Sequence, residues 1–423
     1  MQIFKFGGAS VKDAEAVRNV KNILEKYVSA PIVVVISAMG KTTNALEAVL
    51  DAHWTGDDVL AYLDIVKTYH YNILEELVPD KSKPIWAELK SIFKDLKKHL
   101  KKYPKLKYDA EYDYIVSHGE IISTKIISAY LSEEGFANQW IDARDYIITN
   151  DLHREARMDW EVTQAFISGY IPAIVEKLPI ITQGFIGSTS KKITTTLGRE
   201  GSDFTASVFA YCLDAKELVI WKDVPGILNA DPKKFPDTVK FNTLSYHDVV
   251  EMTYYGATVL HPKTIKPLQN KNIPLRVRSF LHPELTGTLI ANIEENPEIN
   301  QTPIIIIKEN QSLISLSTRD YSFIAEEAIE MIFDEVVRYG IKVNVMHNSA
   351  ISFQICIDER HGSGEDFLMA LEKQFEISKT SGLELLTVKY PSETILDQLL
   401  TNKKIWLEMK SGDTVRFVLK NGG

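Results

Sequence analysis

The apolar run Gln2 to Phe6 stops at Gly7 and Gly8, and from Ala14 to Tyr27 the apolar positions 16, 17, 20, 23, 24 and 27 recur with helical spacing. The pattern predicts a strand, a glycine turn and an amphipathic helix, and Pro31 to Ser37 predicts a second, wholly apolar strand. Strands without a polar face, separated by helices, are what a parallel sheet covered on both sides requires. From Thr55 to Tyr103 the spacing turns helical without strands (Val59, Leu60, Leu63, Ile65, Val66, then Ile85, Leu89, Ile92, Phe93, Leu96), a helical excursion from that sheet. Strand and helix signals return at Tyr114 to Val116, Ala137 to Asp142, Ile171 to Val175, Ile180 to Gln183, Leu218 to Lys222 and Pro274 to Arg278.

Near residue 300 the text changes. Ser312 to Ser317, Phe323 to Tyr339, Lys342 to Met346, Ile351 to Ile357, Glu365 to Phe375 and Leu383 to Lys389 read β, α, β, β, α, β, the order of a small ferredoxin-like module. A helix over Ser392 to Leu400 and strands near 404 to 409 and 414 to 419 repeat half of that order. The expected division is therefore 1–300 and 301–423, with the second module truncated. The strand edges of the half module would need cover from a partner chain or from the first module.

The chain has 423 residues, 45% apolar and 25% charged, which excludes wholesale disorder. Its net charge of −9 argues against wrapping nucleic acid or lying on anionic lipid. Seven lysines between Lys94 and Lys107 have no aromatic platform or arginine fork beside them and read as a solvated helix face. The opening MQIFKFGGAS lacks the apolar stretch of a secretory signal and no run approaches membrane-spanning length, so a cytoplasmic protein is expected. Cys212 and Cys356, without CxxC spacing, read as buried thiols.

Three stretches carry chemistry. Gly7 and Gly8, between strand and helix, let the backbone approach a phosphate, and Lys5 adds a point charge; alone, the same glycines serve equally as a tight turn. Gly40, Lys41 and Thr42 resemble the end of a phosphate-binding P-loop, but that motif needs glycine where Val35 stands. In Ile181 to Ser207, glycines at 198 and 201 flank Arg199, and Ser202 and Asp203 open an apolar helix. This sets a guanidinium fork, a hydroxyl and a carboxylate at one sheet edge. Each piece alone also fits a helix cap or a surface ion pair.

KFGGAS near the start, SHGEIIST at 117–124, TTTLGREGSDFTA at 194–206, KDVPGILNADPKKFPD at 222–237 and YYGATVLHPKTIKPLQNKNIPLRVRSF at 254–280 together resemble aspartokinase, of the amino-acid-kinase family. NVMHNSAISF at 344–353 extends the resemblance into the ACT regulatory modules of that family. The resemblance implies an open parallel-sheet αβα sandwich followed by a smaller α+β regulatory region. It implies transfer of the γ-phosphoryl group of ATP, with Mg²⁺ held mainly by the phosphates, to the side chain of L-aspartate. That reaction opens the route to lysine, threonine and methionine. By the same resemblance Lys5 and Asp203 are catalytic, and Ser37, Thr43, Glu120, Arg199 and Ser202 hold the amino acid. Gly7, Gly8, Ser10, Lys222, Asp223 and Lys233 hold the nucleotide. A homodimer through 301–423 follows from it too. Relatives that lysine inhibits grip its ammonium groups with acidic side chains where this chain has Asn344 and Ala350. The chain departs from the family pattern at Thr258, often lysine; at Lys222 and Asp223, often threonine and aspartate; and at Glu200, often glycine. Two alternatives are a kinase for another small amino-acid carboxylate and a catalytically weakened amino-acid sensor.

Overall fold

The computed structural model describes the chain apart from residues 29, 103, 105, 258, 294–301, 321, 360–362 and 423. Strand β1 (Gln2–Phe6) runs through a short 3₁₀ turn (Gly8–Val11) into α1 (Ala14–Tyr27) and β2 (Ile32–Ile36). Asp13 starts α1 by accepting a hydrogen bond from the Ala16 amide at 2.8 Å. The helical excursion is α2 (Thr42–Thr55), α3 (Val59–Leu77), α4 (Pro84–Leu100), α5 (Tyr108–Val116) and α6 (His118–Glu133). Next come β3 (Gln139–Trp140), β4 (Ile148–Thr149), α7 (Trp160–Val175), β5 (Ile180–Gln183), β6 (Ile186–Thr189), β7 (Thr194–Thr196), α8 (Gly201–Cys212) and β8 (Glu217–Lys222). The stretch closes with β9 (Thr243–Ser245), α9 (Tyr246–Tyr255), α10 (Pro262–Asn270), β10 (Leu275–Ser279) and β11 (Thr288–Ala291). Tyr114 to Val116 and Ile171 to Val175 thus end helices, and only Gln139 and Trp140 of the 137–142 signal form a strand.

The main sheet has the order β3-β5-β2-β1-β8-β10-β11-β9, parallel from β3 through β10, which fits the expected α/β class. Every residue of β2 is buried, so both faces of that strand are covered, as its unbroken apolar run requires. The core packs α1 to α6 against the sheet around Phe4, Phe6 and Trp221, with the Phe6 and Trp221 rings stacked 5.9 Å apart. Lys94, Lys97 and Lys98 are exposed on α4, the solvated face expected of the basic run. Both cysteines are buried free thiols, pushed up to about 12 by burial. Among the described residues no helix is long and apolar enough to cross a membrane.

The chain forms two compact units, and their division is not a single point along the sequence. Leu228–Val239 and Glu251–Thr258 belong to the second unit together with Asn296–Gly423. The expected division at 300 itself lies outside the described residues. The second unit contains β12 (Ile304–Thr318), α11 (Glu326–Arg338), β13 (Val343–Asn348), β14 (Ser352–Asp358), α12 (Ser363–Leu371), β15 (Phe375–Lys389), α13 (Glu393–Leu400), β16 (Lys403–Ser411) and β17 (Thr414–Asn421). They form one sheet in the order β13-β14-β12-β15-β17-β16. Strands β12 and β15 have 15 residues each and run through both halves, with register shifts between Lys308 and Leu313. β17 is paired on both sides within the chain and only β16 is left at that edge, so the strands at 414–421 need no further cover. Ile305, Leu386, Val388, Val415 and Phe417 pack against α13 and against Ala230 and Phe235 from the earlier segment.

Gly184, just past β5, lies where a Cβ would stand 2.5 Å from Ser202 Cβ and 2.6 Å from Ser202 Cα. Gly184→Ala forces α8 away from the sheet and should destabilise the first unit by about 1–3 kcal/mol, read as a lower midpoint of chemical unfolding.

Candidate active site

In an open α/β sheet a crevice forms at the carboxyl ends of the strands, where connections leave in opposite directions. Here the carboxyl ends of β2, β1 and β8 lie side by side, with Lys5 in register between Val35 and Ile220. The turn after β1, the segment after β2, the first turn of α8 and the end of β8 meet there, joined by residues of α5 and α6. Together they line a cavity of about 800 Å³.

Close backbone approach builds this cavity. A Cβ on Gly8 would stand 2.8 Å from the Gly40 carbonyl and 2.9 Å from that of Ala38, so only glycine fits against the 38–40 turn. The Gly40 amide donates to the Gly8 carbonyl at 3.0 Å and locks the two segments together. On the opposite rim Glu200 takes φ 53°, the left-handed conformation that glycine would adopt without strain. The glutamate at this position therefore keeps the backbone turn and adds a carboxylate to the cavity wall. One of its oxygens is buried without a hydrogen-bond partner, and burial pushes its pKa up against the pull of Lys222.

The centre is an ion triad. Asp203, in the first turn of α8, places one oxygen 2.6 Å from Lys5 Nζ and the other 3.2 Å from Lys222 Nζ. Lys222 also donates to the Val259 carbonyl. Burial alone would push the Asp203 carboxyl up, but the two ammonium groups hold it below its ordinary value. One carboxylate against two ammonium groups leaves excess positive charge facing the cavity. Glu120, in the first turn of α6, is 3% exposed and has an oxygen without a partner. Burial pushes its pKa up to about 8, against the opposing pull of the Ala38 amide and of Lys5. Arg199 is exposed and has no ion-pair partner among the described residues, which leaves its fork open to a carboxylate.

Lys5, Gly8, Ser37, Thr43, Glu120, Arg199, Ser202, Asp203 and Lys222 all line the cavity. Gly7 precedes it, and a Cβ there would stand 3.3 Å from Lys5 Nζ. Ser10 is buried and turned to the Trp221 carbonyl, 3.5 Å away. Asp223 is exposed beyond the end of β8, and Lys233 is an exposed residue of the second unit. Thr258 lies outside the described residues. The sequence reading missed Asp109, Tyr112 and the loop Leu152 to Glu155, which complete the wall. That loop is pinned by the fully buried Asp113, which accepts from His153 at 2.6 Å, from the Arg154 amide at 3.1 Å and from Thr196 at 2.6 Å. Arg154 lies over the Tyr112 ring at 4.5 Å, adding a second guanidinium to the wall. The one signal in the sequence is the polar run NDLHREAR at 150–157 between apolar segments.

The model of the amino acid kinase family matches residues 1–279. The lysine-sensitive aspartokinase 3 of Escherichia coli is 31% identical over 399 residues, covering 91% of this chain and 86% of that protein. The chain belongs to the aspartokinases of the amino acid kinase family. The crystal structure of E. coli aspartokinase III with aspartate and ADP, in the R-state, superposes with a TM-score of 0.84 at 28% identity, covering 100% of this chain and 96% of that one. The T-state structure with lysine and aspartate gives 0.81 at 28% identity over the same shares. Aspartokinase membership thus extends over both compact units, as the sequence resemblance implied.

Because the unfolded chain releases the Glu120 proton near its ordinary pH of about 4.5 and the folded chain near 8, folding retains a proton between those values. Stability from this group therefore falls as pH rises from 4.5 to 8. Glu120→Gln, neutral throughout, should gain thermal stability over the parent chain as pH is raised from 5 to 9; parallel melting curves would show that Glu120 does not bury its charge.

Proposed function

We propose that this chain transfers the γ-phosphoryl group of ATP to the side-chain carboxylate of L-aspartate, giving 4-phospho-L-aspartate and ADP. The observation that carries this reading is the Lys5–Asp203–Lys222 triad beside the open fork of Arg199 in one cavity. The nucleophile, with a free pKa of ~3.9, is already ionised at neutral pH, so the site needs no strong base. Its obstacle is repulsion between a carboxylate and a polyphosphate. Lys5, backed by Asp203, stands in β1 just ahead of the glycine turn and neutralises the migrating group, while Lys222 and the Gly7 and Gly8 backbone take the remaining phosphate charge. Ser10 and Asp223 complete the nucleotide site in this reading. Mg²⁺ enters on the ATP phosphates as part of the substrate.

Arg199 grips the α-carboxylate, Ser37, Thr43 and Ser202 donate hydrogen bonds, and Glu120 pairs with the α-ammonium. The arriving ammonium supplies the partner that one Glu120 oxygen lacks and favours the carboxylate form, so the Glu120 proton passes to water. In this reading 1–300 is the catalytic domain and 301–423 the ACT-type regulatory region of a cytoplasmic homodimer that opens lysine, threonine and methionine synthesis. Exposed Ile405 and Trp406 on the edge strand β16 support pairing through that region.

An assay that traps the acyl phosphate with hydroxylamine, run with L-aspartate, L-glutamate and N-acetylglutamate, tests the assignment. Turnover of aspartate is expected; strong turnover of glutamate with none of aspartate would overturn it. In the same assay Lys5→Met should lower kcat by ~10²-fold or more with little change in KM for aspartate, because that charge acts mainly in the transition state.

Lysine should inhibit poorly. Asn344 donates to Gln311 at 2.7 Å and to Asp358 at 2.8 Å and accepts from Lys308 at 2.7 Å, and Lys308 is 2.6 Å from Asp358. The carboxylate beside Asn344 already has the protein's own ammonium group, so a free lysine finds no spare anion there. Lysine titration of the activity checks this, and half-inhibition at sub-millimolar lysine would contradict it.

A further inference from the structure

Outside the catalytic cavity, three potential metal ligands from three helices converge. His53 stands in the last turn of α2, His99 in the last turn of α4 and Glu111 in the first turn of α5. One ligand atom from each lies within 4.8 Å of the other two. His99 Nε2 is 2.7 Å from Glu111 Oε2, and the other oxygen of Glu111 accepts from the Leu106 amide at 3.2 Å. The Glu111 side chain is fully buried, and the His99 side chain is 25% exposed, which gives an ion a path from solvent.

The His99–Glu111 pair by itself would be a buried hydrogen bond. His53 is what it does not explain. That residue is 7% exposed, and its Nε2 atom is buried without a hydrogen-bond partner. Buried polar nitrogens are almost always partnered, and an orphan in a native interior points to a missing water or ion.

We propose that His53, His99 and Glu111 form a binding site for one divalent transition-metal ion of the zinc class. Two imidazoles and a carboxylate suit Zn²⁺ or Co²⁺ rather than Mg²⁺ or Ca²⁺, which prefer all-oxygen shells. Bond lengths of about 2.0–2.2 Å place tetrahedral ligands about 3.4 Å apart. His99 and Glu111 open slightly and His53 closes in to reach that spacing, and water completes the shell on the exposed side of His99. The ion would staple the ends of α2 and α4 to the start of α5. The next residue of α5, Tyr112, is held by Glu47 at 3.0 Å and lines the catalytic cavity, so the staple steadies one cavity wall.

The test uses the full-length chain without a histidine tag, stripped with chelator and titrated with Co²⁺ and then Zn²⁺. One Co²⁺ per chain with the intense visible absorption of a tetrahedral site is expected. Zn²⁺ should displace it, millimolar Mg²⁺ should not, and Zn²⁺ should raise the melting temperature. His99→Ala, at the exposed corner, and His53→Ala should each weaken binding by about 100-fold or more. Circular dichroism of the metal-free variants identifies any that fail to fold, and His99→Ala then carries the test alone. The proposal is overturned if the parent chain shows no saturable one-to-one binding, or if a folded His99→Ala binds as tightly as the parent.

Discussion

A single buried carboxylate shared by two ammonium groups organises the catalytic half of this protein. Asp203 can pair with Lys5 and Lys222 together only if β1 and β8 are neighbours and the first turn of α8 lies against their ends. Removing one member of such a buried group typically costs ~3–5 kcal/mol, because the partners are left charged and unpaired. That demand sets the backbone around it. Gly184 lets α8 approach the sheet, Gly8 lets the first turn approach the 38–40 segment, and Glu200 is held in a left-handed conformation to deliver Ser202 and Asp203. The net positive charge of the triad is what a site for polyanions requires.

The opposite wall is built on a different principle. Asp113 is buried on α5 and spends its hydrogen-bonding capacity on the 152–154 loop and on Thr196. The helical excursion therefore holds the loop that carries Arg154. The cavity thus has one wall of the parallel sheet and α8, and one of inserted helices. Glu120 on α6 belongs to the second wall, and its carboxyl, with one oxygen unpartnered, is held protonated by burial.

In the second unit the constraint is strand length. Because β12 and β15 continue through both halves, the half module at the end of the chain needs only α13, β16 and β17 to extend the sheet. Its remaining apolar face is covered by Ala230 and Phe235, residues that the sequence assigns to the kinase part.

Local pattern was enough for the elements whose periodicity is strong. These are the strand, glycine turn and helix at residues 1–27, the apolar β2, the helices of 59–100 and the β, α, β, β, α, β order after 311. It also pointed to most of the cavity, because Lys5, Gly8, Arg199, Ser202 and Asp203 sit at element boundaries, where chain geometry and chemistry demand the same unusual residues. Asp113, the 152–155 loop and Tyr112 were not legible, since a polar residue on a short helix looks the same whether it faces water or a loop 40 positions away. The type of element at Tyr114 to Val116 was not legible for a related reason: three apolar residues carry no period. The allocation of 228–239 to the second unit depends on which apolar surface those residues cover. Burial of that kind is a property of contacts between distant segments, and only the tertiary structure decides it.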